Sequence, residues 1–215
     1  MPAVHEVFPD PRLGPRTLAA SALRDLSEAL VGHDADEPTL EAVAAWATEM
    51  ADRIRRRSRR DRAADYLHRR YTDPPPPDGV ELITSSDRPV SGPANPSAVA
   101  MTIRRAGTEA RADVEFDRRF ESVPGRVHGG ITASVFDDLM GYVQVIDGLA
   151  SYTRELHVRY LAPMPTHTRI EVRARTTERT ERRTVVTAEA RVAAGGTLVA
   201  DARGIFAVVP PDQLT

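Results

Sequence analysis

The sequence of 215 residues contains no cysteine and no lysine, and each absence excludes a class of chemistry. Without cysteine, the chain has no disulfide framework, no thiolate metal site and no cysteine nucleophile. Without lysine, Schiff-base catalysis and a P-loop nucleotide site are excluded. All 29 basic residues are therefore arginines.

The sequence also lacks an excess of positive charge and any long hydrophobic run. Its formal net charge of −2 differs from the basic excess that marks nucleic-acid-binding proteins. No apolar run approaches the ~20 residues that span a bilayer. The first residues lack the basic and apolar segments of a secretory signal. We therefore expect a cytoplasmic protein with no membrane span and no nucleic-acid partner.

A proline-rich stretch separates two regions of different periodicity. Residues 73–93 include four consecutive prolines, which favour an extended, irregular connector. Before this stretch, apolar residues recur every three to four positions over residues 17–31 and 37–71, which predicts two amphipathic helices. We therefore predict a helical N-terminal extension (1–72), a linker (73–93) and a second domain (94–210).

Residues 53–62 of the predicted second helix form a dense arginine run, RIRRRSRRDR. Such a run fits either an anionic partner or a solvated helix face. Acidic residues within and beside the run dilute its charge, so the solvated face is the favoured interpretation.

After the linker the apolar period changes to two, as in strands that are buried on one face. Residues 98–105 and 110–116 predict a strand pair, and residues 129–146 then show a helical pattern. Four further alternating segments, 153–161, 168–176, 183–193 and 197–209, predict strands. This order predicts an α+β domain in which one long helix lies across an antiparallel sheet of five or six strands.

The chemical signal is concentrated around the start of the predicted long helix. Gly129 and Gly130 stand where a loop becomes a helix, so first-turn N–H groups can receive developing negative charge. Asp137 and Asp138 place carboxylates in an otherwise apolar helix, where each needs a partner or a function. An N–H donor and a carboxylate are the groups that acyl transfer needs. Because adjacent helix residues point about 100° apart, we interpret Asp138 as structural.

The combination of His128, Gly129, Gly130, six further residues and Asp137 resembles the active-site signature of hotdog-fold thioesterases. The nearest group is the PaaI-like acyl-CoA thioesterases, and the resemblance extends over residues 94–209, including the Tyr160-Leu161-Ala162-Pro163 segment. It implies a hotdog fold, a long central helix wrapped by an antiparallel sheet. It also implies hydrolysis of acyl-CoA to a free acid and coenzyme A. No cofactor is then expected, since coenzyme A is part of the substrate.

The resemblance also implies roles for five residues of the catalytic site. Asp137 corresponds to the carboxylate that attacks the thioester carbonyl or orients the attacking water. The backbone N–H of Gly129 would polarise the carbonyl, with Gly130 beside it. His128 would hold the loop or contact the leaving thiol, and Thr153 would position the water or the carboxylate.

Substrate-binding residues follow less directly from the resemblance. Some family members place an asparagine six residues before the histidine, where this chain has Ser122. Glu121 or Asn95 would be the substitutes for that asparagine. Arg183 matches a basic position of the family and would bind the phosphates of coenzyme A, and Arg126 is a second candidate. Arg159 is a third candidate for binding these phosphates. The histidines do not show the spacing of metal ligands, so we expect no metal site.

The helix geometry adds a requirement for a second copy of the chain. At 1.5 Å per residue, Asp137 lies about 12 Å along the helix from Gly129. A thioester carbonyl must lie about 3 Å from its N–H donor and within reach of the attacking group. Two antiparallel copies of the helix in a homodimer satisfy both conditions, because Gly129 of one chain then faces Asp137 of the other. A homotetramer of such dimers stays open.

Two other functions stay open at this stage. One is a non-catalytic acyl-CoA-binding hotdog dimer, because Ser122 stands where some family members have the asparagine that binds the carbonyl. The other is a hotdog enoyl-CoA hydratase or dehydratase, whose carboxylate and histidine lie five residues apart on one helix. The corresponding position here is Tyr142, with no histidine nearby, so this alternative is the weaker one.

Overall fold

The structure, a computed structural model, describes residues 4–60 and 73–210 of the chain. It contains three described α-helices, ten strands and one short 3-10 helix. In chain order these are β1 (Val4–Glu6), α1 (Leu13–Gly32), α2 (Glu37–Arg55), β2 (Glu81–Ile83), β3 (Ala100–Ala106), β4 (Glu109–Glu115), the 3-10 helix (Arg118–Phe120), β5 (Glu121–Val123), β6 (Arg126–Val127), α3 (Gly129–Ile146), β7 (Ser151–Tyr160), β8 (Arg169–Arg179), β9 (Arg183–Val192) and β10 (Leu198–Val208).

Eight strands form one sheet in the order β1-β2-β3-β4-β8-β9-β10-β7. All neighbours are antiparallel except β1 and β2. The first strand after α3, β7, forms one edge of this sheet, while β5 and β6 make a separate two-stranded sheet. The predicted α+β hotdog architecture is confirmed, because α3 packs on the sheet against five of its six long strands, β4 and β7–β10.

The core lies between α3 and the sheet. On α3, Leu139, Met140 and Val143 are fully buried. Small side chains on the strands beneath let the helix approach closely, and a Cβ atom built on Gly204 would lie 2.7 Å from the Met140 sulfur. The other fully or nearly fully buried strand residues are mostly alanine and valine: Ala110, Ala112, Val114, Val172, Ala174, Val186, Ala188, Ala190, Ala200 and Ala202. The small residues of the strands thus allow the helix to pack closely on the sheet.

The region predicted as an irregular linker contributes to the sheet. Residues 81–83 form β2, which pairs with β3 and, in parallel, with β1 near the N-terminus. Leu82, Ile83 and the neighbouring Val7 are buried. The expectation of irregular structure is therefore wrong at residues 81–83, because a three-residue strand carries too few alternations to show a period. The boundaries at residues 72 and 93 stay predictions.

The N-terminal helices differ from their predicted lengths. The first begins at Leu13, four residues earlier than predicted. The second ends at Arg55, so its predicted continuation is wrong at residues 56–60, and residues 61–72 lie outside the described part. In the arginine run, Arg60 bonds to Asp10 at 3.0 Å and to Ser86 at 3.2 Å. No described helix is long and apolar enough to cross a bilayer.

Candidate active site

Backbone amides at the start of α3 are mostly occupied. His128 caps the helix, and its Nδ1 accepts the Gly130 N–H at 3.0 Å, which places the ring proton on Nε2. The N–H groups of Ile131 and Thr132 both donate to the His128 carbonyl, at 3.0 and 3.3 Å. Within the described residues, this leaves the Gly129 N–H as the one first-turn donor without a partner. A free N–H at the positive end of a helix is suited to bind an oxyanion.

Tyr160, at the end of β7, fixes the same helix start from the other side. Its hydroxyl donates to the Gly129 carbonyl at 2.9 Å. A Cβ atom built on Gly129 would lie 3.3 Å from the Tyr160 ring, so only glycine allows this contact without a shift. The peptide between Gly129 and Gly130 is therefore held at its carbonyl by Tyr160 and at its N–H by His128. Sequence reasoning identified Tyr160 only as part of the resemblance and missed this contact.

The carboxylate of Asp137 lies two turns further along α3 and is half-buried. Its Oδ1 accepts a hydrogen bond from the Thr153 hydroxyl at 2.8 Å. The structure thus brings together the two side chains that the resemblance assigned to the carboxylate and its helper. Their catalytic roles stay predictions.

A bulge in β7 turns Thr153 towards α3. Leu156 pairs with Gly204, but Thr153 pairs with Phe206, so Arg154 has no partner in the neighbouring strand. Regular alternation from Leu156 would direct residue 154, rather than Thr153, to the helix side. Bulges of this kind redirect side chains next to functional sites. The alternating sequence of β7 contains no sign of the extra residue, which depends on the partner strand.

A groove of about 450 Å³ runs beside Asp137. Its size falls within the range of small-molecule sites, which is about 300–1,000 Å³. Three elements form its walls: the loop residues Arg88, Pro89 and Val90, the α3 residues Ala133, Ser134, Asp137 and Asp138, and Leu156 of β7. The groove therefore joins the candidate carboxylate to a largely apolar surface.

Asp138 is buried and points to a different set of partners. Its Oδ1 accepts from Nε of Arg88 at 2.8 Å and also from Nη2 of the same guanidinium. Arg88 lies over the Tyr142 ring at 5.1 Å, and the Tyr142 hydroxyl bonds to Ser91 at 2.9 Å. Burial raises the pKa of Tyr142, and the charge of Asp138 adds to this effect. Arg88 is thus the partner that a buried carboxylate needs.

The four predicted substrate-binding residues have other surroundings. The Asn95 side chain donates to the Asp87 carbonyl at 3.2 Å and accepts from the Ser97 N–H at 2.8 Å, so it stabilises its own loop. Ser122 is exposed on β5, and Arg126 is exposed on β6. Within the described chain, none of these three forms a hydrogen bond with Gly129, Asp137 or Thr153.

Arg183 begins β9, is exposed and bonds to Glu178 at 3.2 Å. It pairs with Ala207, one position along from the buried Thr184, so it lies on the sheet face opposite α3. The third arginine candidate, Arg159, binds Asp201 through two hydrogen bonds of 2.8 and 2.6 Å. Among residues 4–60 and 73–210, no cluster of three or more histidine or acidic side chains could hold a metal ion.

Comparison with known proteins agrees with this fold. Residues 124–199 match the family model of the thioesterase superfamily. A crystal structure of a thioesterase superfamily protein superposes with a TM-score of 0.77 at 22% identity, covering 96% of each chain. The Escherichia coli PaaI protein from the phenylacetic acid degradation operon gives a TM-score of 0.48 at 18% identity, covering 51% of this chain and 80% of that chain.

A hypothetical thioesterase from Streptococcus pneumoniae, crystallised with coenzyme A, gives a TM-score of 0.49 at 16% identity and covers 51% of this chain and 85% of that chain. No curated protein matches the sequence. The similarity that covers 96% of both chains shows that the fold is shared over the N-terminal helices as well. The segment that matches this family model, residues 124–199, contains both Gly129 and Asp137, and the fold of this chain is the hotdog fold of thioesterase superfamily proteins.

Proposed function

We propose that this protein is an acyl-CoA thioesterase that hydrolyses the thioester to a free acid and coenzyme A. The observation that carries the proposal is the pairing of one unoccupied helix N–H, that of Gly129, with a carboxylate held by Thr153. These are the two groups that thioester hydrolysis needs, an oxyanion donor and a nucleophile or general base. Membership of residues 124–199 in the thioesterase superfamily supports the same reaction.

In the proposed reaction the thioester carbonyl accepts a hydrogen bond from the Gly129 N–H. The positive end of α3 stabilises the negative charge that develops on this oxygen. Asp137 either attacks the carbonyl carbon, giving an anhydride that water then hydrolyses, or takes a proton from the attacking water. The carbon–sulfur bond breaks in either route. The leaving sulfur of coenzyme A takes a proton from solvent water in the anhydride route and from Asp137 in the general-base route. Thr153 keeps the carboxylate in position throughout.

The two groups belong to different chains of a homodimer in this proposal. Gly129 and Asp137 are separated by about 12 Å of helix rise, too far for one thioester carbonyl. Gly130, Ser134, Asp137 and Gly141 follow the spacing of a single helix face, and none of them is buried. This face of small residues allows an antiparallel α3 of a second copy to approach closely.

Mixed dimers test both the reaction and the shared site. Gly129→Pro removes the N–H donor, Asp137→Asn removes the carboxylate, and each variant alone is expected to lose acyl-CoA hydrolysis. When equal amounts are refolded together, half of the dimers are mixed and each contains one intact site. About a quarter of the wild-type rate should then return for a two-fold dimer. If the Asp137→Asn variant hydrolysed acyl-CoA at the wild-type rate, the proposed chemistry would be refuted. If the mixture of the two variants regained no activity, the shared site would be refuted.

One observation favours a second candidate, an acyl-CoA-binding dimer without turnover. The asparagine that helps to bind the carbonyl in some relatives is replaced by Ser122, and the Asn95 amide is engaged within its own loop. These residues therefore supply no second hydrogen-bond donor to the thioester carbonyl. Equilibrium binding of acyl-CoA to the wild-type protein without release of free thiol would favour this candidate.

A further inference from the structure

The groove beside Asp137 has one wall that belongs to the segment before the first long strand. Residues 88–90 of this segment face Ala133 and Asp137 of α3 across the groove, and Leu156 lies at its side. Pro89, Val90, Ala133 and Leu156 are apolar, so they offer an acyl chain a surface next to the proposed reaction centre. The position of residues 88–90 relative to α3 therefore sets how wide this surface is.

This wall is internally tied by short-range contacts. The Gly92 N–H donates to the Arg88 carbonyl at 3.1 Å, and the Ala94 N–H donates to the Ser86 carbonyl at 2.8 Å. A Cβ atom on Gly92 would overlap the backbone of Arg88, so the turn closes as tightly as glycine allows. The Asn95 side chain adds a hydrogen bond to the Asp87 carbonyl. These hydrogen bonds hold the segment together as a unit, and the contacts between this unit and α3 fix its distance from the helix.

The charged anchor of this wall to α3 is the pair of Arg88 and Asp138. The guanidinium binds the carboxylate through Nε and Nη2, and both side chains are largely buried, at 15% and 6% exposure. The guanidinium also packs on Tyr142, whose hydroxyl bonds to Ser91. The two adjacent carboxylates of α3 thus differ in role. Asp137 lies at the groove, whereas Asp138 binds the Arg88 side chain of the groove's wall.

We propose that Arg88 is a positioning residue that sets the width of the acyl groove and so selects acyl-CoA substrates by the size of their acyl group. This inference rests on the proposed thioesterase function. Arg88 acts through Pro89 and Val90, which it holds against α3, and takes no part in the bond changes. A single methylene that fits or fails to fit an apolar pocket changes kcat/KM by about ten-fold or more, so a small shift of this wall is measurable.

The test replaces the ion pair without leaving a buried charge. Arg88→Leu combined with Asp138→Leu exchanges the pair for apolar side chains, which buried sites often tolerate well. The matched control combines Arg119→Leu with Asp117→Leu, because that pair also forms two hydrogen bonds, of 2.9 and 2.7 Å, beside an aromatic ring. Neither control residue lines the groove.

For each protein, kcat/KM is measured with butanoyl-CoA and octanoyl-CoA, and the ratio of the two is compared. A ratio from one sample is independent of the fraction of folded enzyme, so a loss of folded protein leaves it unchanged. We expect the octanoyl-to-butanoyl ratio to rise about ten-fold in the Arg88 and Asp138 double variant and to stay at the wild-type value in the control. A ratio that is unchanged or lower in the double variant overturns the inference alone. A wild-type protein that hydrolyses neither ester overturns the proposed function and this inference with it.

Discussion

Replacement of Gly129 by proline and by alanine separates the backbone donor from the space around it. Gly129 is the first residue of α3, a position that suits proline because the missing N–H has no helical partner there. The preceding His128 has φ −61° and ψ 133°, the extended conformation that a residue before proline prefers. Gly129→Pro should therefore fold, lose the N–H and add a Cβ atom. Gly129→Ala keeps the N–H and adds the same Cβ contact, 3.3 Å from the Tyr160 ring.

The expected magnitudes follow from these contacts. Loss of one oxyanion donor lowers kcat by about 10²–10³-fold, or roughly 2.7–4 kcal/mol. The alanine variant at most weakens the Tyr160 hydrogen bond, whose net value is about 0.5–1.5 kcal/mol, so its kcat should fall by about ten-fold or less. The assay is the initial rate of thiol release from acyl-CoA, with thermal unfolding measured in parallel. Equal rates for the two variants, with both folded, would refute the role assigned to the Gly129 N–H.

Three further predictions concern the surroundings of this site. Thr153→Val should lower kcat by about five- to ten-fold, because it removes a charge-assisted hydrogen bond to Asp137. Thr153→Ser should keep a kcat close to that of the wild type, and the melting temperature should be unchanged in both variants. Equal kcat values for the two variants would contradict this role of Thr153. Arg88→Leu leaves a buried carboxylate unpaired and should cost about 3–5 kcal/mol, a fall in Tm of roughly 6–20 °C. Asp138→Leu should lower the free energy of unfolding by less than Arg88→Leu does. A larger loss for Asp138→Leu in calorimetry would contradict the pairing of Arg88 with Asp138. Gly204→Ala forces a buried methionine sulfur to move and should cost about 1–3 kcal/mol. Gly14→Ala has no atom within 4 Å of the new Cβ and lies in α1, where alanine is favoured over glycine, so it should leave Tm unchanged or raise it slightly.

Long periodic segments made the central architecture predictable from the sequence. The helix expected over residues 129–146 spans Gly129–Ile146 in the structure, and the six long strands lie within a few residues of their predicted bounds. Eighteen helical residues repeat their period five times, which makes such a segment easy to detect. Strands β1, β2, β5 and β6 contain two or three residues each and offer no period to detect.

Site details that depend on residues distant in sequence were not predictable. The Arg88 and Asp138 pair joins positions 50 residues apart, and the bulge at Arg154 exists only relative to β10. The choice between Gly129 and Gly130 as the free donor rested on which N–H the His128 ring accepts. Local spacing identified Gly129 and Asp137 as candidates, but the contacts around them come from tertiary packing.

The two ends of the large sheet are unequal, and this limits how copies of the chain can join through their strands. One end is the three-residue β1, too short to act as a template for another strand, and the other is the ten-residue β7. Within the described residues, the large sheet therefore offers one long edge, which can add one neighbour by strand pairing. Two copies that meet edge to edge at β7 use both of these long edges, so growth of the described sheet by this route stops at two.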